Sequence, residues 1–188
     1  ISETLSDAVD PDFEPRISET DYDAMNRAIT VRRRLGSEWV TSHMRYDGEG
    51  NKVLELDALG RETSHVYDEL NRLLETVEPE GRVTRNAYDG NGNLVRTTLV
   101  NQPEDQVREL VYDPANRLIT SVDAEGHSQA IEYDDVGNVV LEIDARGHAV
   151  SHEYDERNRK VKTTEHLDAG DAVTEVAYDG VGNLTEER

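Results

Sequence analysis

The 188-residue chain contains no cysteine, one tryptophan, one phenylalanine and three lysines. Without cysteine it can form neither a disulfide framework nor a zinc site with cysteine ligands. No apolar run approaches the ~20 residues of a membrane-spanning helix, so no membrane insertion is expected. Leu, Ile, Val and Phe together number only 42, a share close to that at which a strongly charged chain is disordered. An ordinary globular core is therefore not expected.

The chain is strongly acidic. Forty-one acidic residues face 20 basic ones, which gives a formal net charge of −21. Such a chain repels phosphate groups, so nucleic acid, anionic membranes and sulfated sugars are disfavoured as partners. Val, Ile and Thr supply 40 residues, and these β-branched side chains suit strands better than helices.

Internal repetition argues against disorder. Each of the eight tyrosines is followed by aspartate, at Tyr22-Asp23, Tyr46-Asp47, Tyr67-Asp68, Tyr88-Asp89, Tyr112-Asp113, Tyr133-Asp134, Tyr154-Asp155 and Tyr178-Asp179. The tyrosines are 24, 21, 21, 24, 21, 21 and 24 residues apart, so the pattern repeats every 66 residues. A fixed period of this length is typical of a repeat architecture.

Each Tyr-Asp pair begins a turn. The third residue after every aspartate is Gly or Asn, namely Asn26, Gly50, Asn71, Gly92, Asn116, Gly137, Asn158 and Gly182. These two residue types tolerate positive φ best, and an aspartate at the first position of a turn can hydrogen-bond to its own backbone. The pattern predicts a bulged β-hairpin loop at each site. The Gly or Asn three residues after the aspartate is predicted to have positive φ. We interpret the Tyr, Asp and Gly/Asn residues as structural turn residues.

A second kind of turn alternates with the first. In the 21-residue units an acidic residue is again followed by Gly three residues later, at Asp57 to Gly60, Glu78 to Gly81, Asp123 to Gly126 and Asp144 to Gly147. The 24-residue units have longer linkers instead, at 34–38, 101–106 and 168–171. The segments between turns have the usual strand length, so the chain is predicted to be a meander of about sixteen strands.

The apolar pattern indicates a thin sheet. After the Tyr-Asp turn, apolar residues recur three positions apart, as at Val53 and Leu56, a spacing that puts them on opposite faces of a regular strand. Either a bulge intervenes or both faces are partly covered. The strand before each tyrosine is more polar. We therefore expect an all-β fold of tandem hairpins that form a curved, spiralling single-layer sheet.

The motif resembles that of a known family. Tyr-Asp-x-x-Gly/Asn-Asn/Arg, with Gly-Arg or Gly-His seven residues before Tyr (Gly60-Arg61, Gly81-Arg82, Gly126-His127, Gly147-His148), is similar to the YD repeat of the Rhs family. That family includes bacterial polymorphic toxins, wall-associated proteins, insecticidal toxin-complex components and the animal teneurins. The resemblance covers residues 17–188, and residues 1–16 resemble a degenerate repeat or linker. It implies a β-sheet spiral that winds into a hollow shell, which in the toxins encloses a C-terminal toxin domain.

The family's self-cleavage motif does not carry over. In those toxins an Asp-Pro pair linked to self-cleavage follows the repeats. Here Asp10-Pro11 precedes them and Asp113-Pro114 lies within a repeat turn. No protease or toxin function is therefore assigned to this chain, which we expect to be a piece of a longer one.

Candidate ligand sites have simpler interpretations. Asp89, Asn91 and Asn93 have the spacing that begins an EF-hand loop, but the sixth and twelfth positions hold Leu94 and Val100 instead of Gly and Glu. A hairpin turn explains them better. His148 and His152 could suggest a metal pair, but they occupy the repeat positions of Arg61 and His65. We expect no metal, no cofactor and no catalytic residue.

The tyrosines allow two interpretations. Aligned by the repeat, they are expected to form ladders that pack across neighbouring hairpins. The alternative is an aromatic platform that binds sugar.

Three functions follow from these observations. The first is a non-catalytic scaffold, part of a shell that encloses or displays a toxin or another C-terminal domain of a large bacterial or archaeal protein, secreted or at the cell surface. Its partner is then the remainder of its own polypeptide. The alternative is a module that recognises carbohydrate or a cell-surface protein, and the third is an enzyme with an unrecognised cleft.

Overall fold

The computed structural model of the chain describes residues 17–100 and 104–188, and these residues form only strands and turns. Residues 1–16 and part of the 101–106 linker lie outside the described residues. The strands are β1 Ser18–Tyr22, β2 Ala28–Leu35, β3 Glu38–Tyr46, β4 Lys52–Leu56, β5 Glu62–Tyr67, β6 Leu73–Val77, β7 Val83–Tyr88, β8 Leu94–Val100, β9 Gln106–Tyr112, β10 Leu118–Val122, β11 Ser128–Tyr133, β12 Val139–Ile143, β13 Ala149–Tyr154, β14 Lys160–His166, β15 Ala172–Tyr178 and β16 Leu184–Glu187. The prediction of an all-β fold is confirmed.

The chain divides into two compact units, Ile1–Val83 and Thr84–Arg188. In the first unit β1 to β6 pair in sequence order, and every pair is antiparallel. In the second unit β8 to β16 follow the same rule. Each odd-numbered strand ends at the tyrosine of a Tyr-Asp turn, so the Tyr-Asp turns of a unit all lie along one edge of its strands. The predicted tandem-hairpin meander is confirmed.

A bulge explains the three-residue spacing of the apolar positions. In the hairpin of Tyr46, Arg45 pairs with Leu54 and Tyr46 pairs with Lys52, so Val53 is left without a partner. The same one-residue shift occurs beside the other tyrosines of the described pairs. The skipped residues are Ile29, Val53, Leu74, Ile119, Val140, Val161 and Thr185. Such bulges increase the local right-handed twist.

The strands enclose no apolar core. Among the described residues no hydrophobic side chain is buried, and most apolar strand residues are half-buried. The buried residues are polar, namely Thr30, Ser121, His152 and Thr164. His152 Nδ1 lies 3.2 Å from Thr163 Oγ1, and Thr30 Oγ1 lies 3.3 Å from a histidine on the next strand. Each hairpin must therefore be stabilised mainly by its neighbours, as in other repeat arrays.

No helix long and apolar enough to cross a bilayer occurs in the described part of the chain.

Candidate functional site: the Tyr-Asp turns

The eight Tyr-Asp turns share one backbone geometry. In the turn of Asp155, the backbone N–H of Asp155 donates to the carbonyl of Arg159 and the N–H of Asn158 donates to the carbonyl of Asp155, both at 2.9 Å. The residue expected at positive φ has positive φ in all eight turns. The angles are 60° at Asn26, 99° at Gly50, 60° at Asn71, 92° at Gly92, 61° at Asn116, 101° at Gly137, 57° at Asn158 and 97° at Gly182.

The turn aspartate accepts three hydrogen bonds from its own turn, as Asp155 shows. Asp155 Oδ1 accepts from the backbone N–H groups of Arg157 at 2.9 Å and Arg159 at 3.0 Å, and its Oδ2 accepts from Arg159 Nε at 2.7 Å. The Arg159 side chain, followed by these backbone donors, lowers the pKa of Asp155 to about 2. At Asp113 the backbone N–H of Arg117 is the main cause of a lowered pKa. These carboxylates stay ionised because the turn holds the charged form.

The turns at the opposite edge repeat this chemistry. Gly60, Gly81, Gly126 and Gly147 have φ between 75° and 84°. The Gly-Arg and Gly-His pairs of the sequence motif supply the side chain that binds the acidic residue of the turn. Arg61 Nε donates to Asp57 Oδ2 at 2.7 Å, and His148 Nδ1 lies 3.3 Å from Asp144 Oδ2. The upstream motif is thus part of a second turn.

Among the described residues, five tyrosine hydroxyls donate to a carbonyl of the hairpin before them. Tyr133 donates to the carbonyl of Leu118 at 3.1 Å, and Tyr154 donates to the carbonyl of Val139 at 2.9 Å. The acceptor is always the fifth residue after the preceding turn aspartate, and the remaining described pairs are Tyr46 to Ala28, Tyr67 to Lys52 and Tyr178 to Lys160. The tyrosine therefore joins neighbouring hairpins, although its partner is a carbonyl.

In alternate repeats an arginine lies over the tyrosine ring. The Arg117 Cζ lies 4.5 Å from the centroid of the Tyr133 ring, and Arg117 Nη1 donates to the carbonyl of Asp134 at 3.2 Å. Arg27 over Tyr46 and Arg159 over Tyr178 repeat this contact at 4.7 and 4.5 Å. Tyrosine ladders are what the repeat alignment predicts, and the arginines between the tyrosines are not part of that prediction. Tyrosines of successive repeats lie two strands apart, about 9–10 Å, and this distance leaves space for a guanidinium between them.

The candidate ligand residues contact turn or strand partners of the repeat. Asp89 Oδ1 accepts from the backbone N–H groups of Asn91 and Asn93, both at 2.9 Å. His152 Nε2 lies 3.5 Å from Glu142 Oε2, whereas His148 contacts the aspartate of its own turn, so the two histidines have different partners.

One other group has the spacing of metal ligands. Within the described ranges, Asp123, Glu125 and His127 form the one group of three potential ligands whose atoms lie within 4.8 Å of one another. They belong to a turn of the second kind, in which His127 binds Asp123 at 3.1 Å. This turn geometry accounts for the cluster without an ion.

An open groove lies between two Tyr-Asp turns of the first unit. Its volume is about 520 Å³, and its lining includes Asp47, Glu49, Asp68 and Asn71. Asp47 and Asp68 accept hydrogen bonds within their own turns, so neither carboxylate is available as an unpaired acid or base. A cavity of about 320 Å³ beside β10 to β13 is lined by strand residues together with Asp144 and His148 of the turn between β12 and β13, and its lining includes no Tyr-Asp turn residue.

Comparison with known proteins identifies the repeat. The chain is 31% identical over 108 residues to a probable deoxyribonuclease, RhsB, of Dickeya dadantii (strain 3937), a match that covers 57% of this chain and 7% of the relative. Its fold is similar to that in the crystal structure of TcdB2-TccC3-Cdc42, with a TM-score of 0.55 and 14% identity over 90% of this chain and 12% of that one. TcdB2-TccC3 without its hypervariable C-terminal region gives a TM-score of 0.50 at 11% identity, over 89% and 12% of the two chains.

The chain therefore spans between 7% and 12% of the length of these relatives. The RHS Repeat family matches residues 46–83, 67–104, 88–128 and 133–166, which together make up more than half of the sequence. The family resemblance carried by the Tyr-Asp motif is confirmed: the chain belongs to the RHS repeat family.

Proposed function

We propose that this chain is a non-catalytic structural scaffold that forms part of the wall of a β-shell. The shell encloses or displays another domain of the same large polypeptide, at the cell surface or after secretion. In this proposal residues 17–188 are the repeat array and residues 1–16 are a degenerate repeat or a linker. One observation carries it: the side chains that recur in every unit direct their hydrogen bonds to their own turn or to the neighbouring hairpin.

The acidic turns are unsuited to acid–base catalysis. Catalysis of that kind uses two titratable groups whose environments push their pKa values apart. Asp23, Asp68 and Asp113 have the same donors, and the pKa of each is lowered by the same hydrogen bonds, of which the backbone N–H of the following arginine is the main one. Repetition of one environment supports a structural role.

The relatives support a wall more than an active domain. The name deoxyribonuclease describes RhsB as a whole, and this chain matches only 7% of RhsB. The two similar crystal structures are toxin-complex assemblies, and this chain covers 12% of each. Carbohydrate recognition, the alternative function, receives no support from these comparisons.

The test requires the full-length protein. If the repeats enclose another domain, that domain should resist a protease in the full-length protein and be cleaved when it is expressed alone. The double variant Tyr133→Ala/Arg117→Ala, which removes the side-chain contacts of Arg117 and Tyr133 between two hairpins, should make it cleavable. Arg108→Ala, at an exposed strand position, is the matched control and should leave it protected.

Equal cleavage of the domain in the full-length and isolated forms would contradict enclosure. Saturable binding to a glycan array, lost in Tyr22→Ala, would instead favour recognition, since Tyr22 is 57% exposed.

A further inference from the structure

The Tyr-Asp turns are of two kinds that alternate strictly. The third and fourth residues after the aspartate are either Asn-Arg or Gly-Asn. In chain order they are Asn26-Arg27, Gly50-Asn51, Asn71-Arg72, Gly92-Asn93, Asn116-Arg117, Gly137-Asn138, Asn158-Arg159 and Gly182-Asn183. Both kinds make the same backbone hydrogen bonds, so the folding of a single turn does not require the alternation.

An Asn-Arg turn fits a following Gly-Asn turn. The arginine of the first reaches the tyrosine ring and the aspartate carbonyl of the second. Its guanidinium also lies beside the glycine of that second turn. A Cβ placed on Gly137 would be 3.8 Å from Arg117 Nη1, and one on Gly50 would be 3.7 Å from Arg27 Nη1. A Cβ at either glycine would therefore touch the guanidinium at van der Waals distance, and the rest of an asparagine side chain would have to fit beside it.

A Gly-Asn turn fits a following Asn-Arg turn through a different contact. Asn138 Nδ2 donates to Asn158 Oδ1 at 3.2 Å and also to Asp134 Oδ2, within its own turn, at 2.8 Å. Two further junctions have the same contact, Asn51 to Asn71 at 2.7 Å and Asn93 to Asn116 at 2.8 Å. The acceptor is the positive-φ asparagine, and glycine offers no side-chain oxygen in its place.

We propose that these two kinds of turn form a pairing rule between hairpins. The turn edge of each hairpin is an interaction surface that fits a hairpin of the other kind and disfavours one of its own kind. Two successive Asn-Arg turns place an asparagine side chain directly against the guanidinium of the preceding turn. Two successive Gly-Asn turns leave the asparagine amide without its acceptor. The rule holds whatever the array encloses, so it stands apart from the proposed function.

The test exchanges turn kinds in the second unit. The variant G137N/N138R/G182N/N183R converts the sixth and eighth turns to Asn-Arg and creates three like junctions, between the fifth and eighth turns. The exchange N158G/R159N, made in addition, converts the seventh turn to Gly-Asn and leaves one like junction. Made alone in the native chain, N158G/R159N creates two like junctions.

The pairing rule predicts that the effect of this exchange on the melting temperature has opposite signs in the two backgrounds. N158G/R159N should lower the melting temperature of the native chain and raise that of the four-residue variant, each by about 3–6 °C for a domain of this size. Both backgrounds receive the same substitutions, so local turn preferences cannot produce a reversal. A change of the same sign in both backgrounds would overturn the proposal.

Failure to fold is also informative. If the four-residue variant is unfolded and N158G/R159N restores folding, the rule is supported. If neither folds, the single variants Asn138→Ala and Asn158→Ala are combined in a double-mutant cycle. Their effects on the melting temperature should then be coupled, and strictly additive effects would overturn the rule.

Discussion

Replacement of Arg117 by methionine should weaken the junction between two hairpins. The methionine keeps much of the aliphatic stem but loses the guanidinium that contacts Tyr133 and the carbonyl of Asp134. It also loses the bond to Asp113 within its own turn. Arg61→Met is the matched control, because Arg61 binds its turn aspartate in the same way at the opposite edge and is 56% exposed.

The structure gives the size of the difference. A cation–π contact at a partly exposed site contributes about 0.5–1 kcal/mol. A hydrogen bond such as that to the Asp134 carbonyl contributes about 0.5–1.5 kcal/mol net. Both variants lose an ion pair with their turn aspartate, worth ~0–1 kcal/mol at the surface, so Arg117→Met should cost about 1–2.5 kcal/mol more than Arg61→Met. For a domain of this size each kcal/mol lowers the melting temperature by about 2–4 °C.

Thermal unfolding followed by far-UV circular dichroism measures this difference. Arg117→Lys adds a further comparison, since an ammonium cannot bond to two oxygens and stack on the ring in the planar geometry of a guanidinium. It should recover only part of the loss. Equal melting temperatures for Arg117→Met and Arg61→Met would show that the contacts with the next hairpin do not stabilise the array.

Three further predictions follow. Gly137→Ala, at φ 101°, should cost about 1–3 kcal/mol of unfolding free energy in thermal melts, whereas Asn158→Gly keeps a compatible backbone and should cost less. The melting temperature should rise between low salt and ~1 M salt because screening relieves the repulsion of a chain with net charge −21, and a flat or falling curve would contradict this. The folded pKa of Asp155, about 2, lies below its unfolded value, so its contribution is complete above pH ~3.9 and is lost as the pH falls through the folded value. Asp155→Asn should therefore show a shallower loss of stability in acid titration, and an unchanged acid limb would count against this.

The features that depend on a few consecutive residues could be predicted from the sequence. The turn of Asp155 needs only an aspartate, a residue tolerant of positive φ and the backbone between them, all within four positions. The number of strands and their order follow from such turns. The bulge at Val53 was one of two alternatives, because apolar spacing alone cannot tell a bulge from a strand covered on both faces.

The contacts between hairpins were harder to predict. Arg27 and Tyr46 are 19 positions apart, and their contact depends on the distance between strands as well as on the sequence. The regular tyrosines alone do not indicate that the arginine of the preceding turn fills the space between them. The strict alternation of Arg and Asn after the positive-φ residue was the available signal.

Pairing in sequence order also determines how the array responds to force. Among the described residues of each unit, the strand pairs join strands that are consecutive in the chain. A pull on one end therefore loads one strand pair at a time, and the hairpins should peel off singly. Each released repeat of 21 to 24 residues adds roughly 70–80 Å of extended chain. A motor that threads a polypeptide through a narrow pore would thus meet a series of small barriers and could unravel such a wall without first melting it.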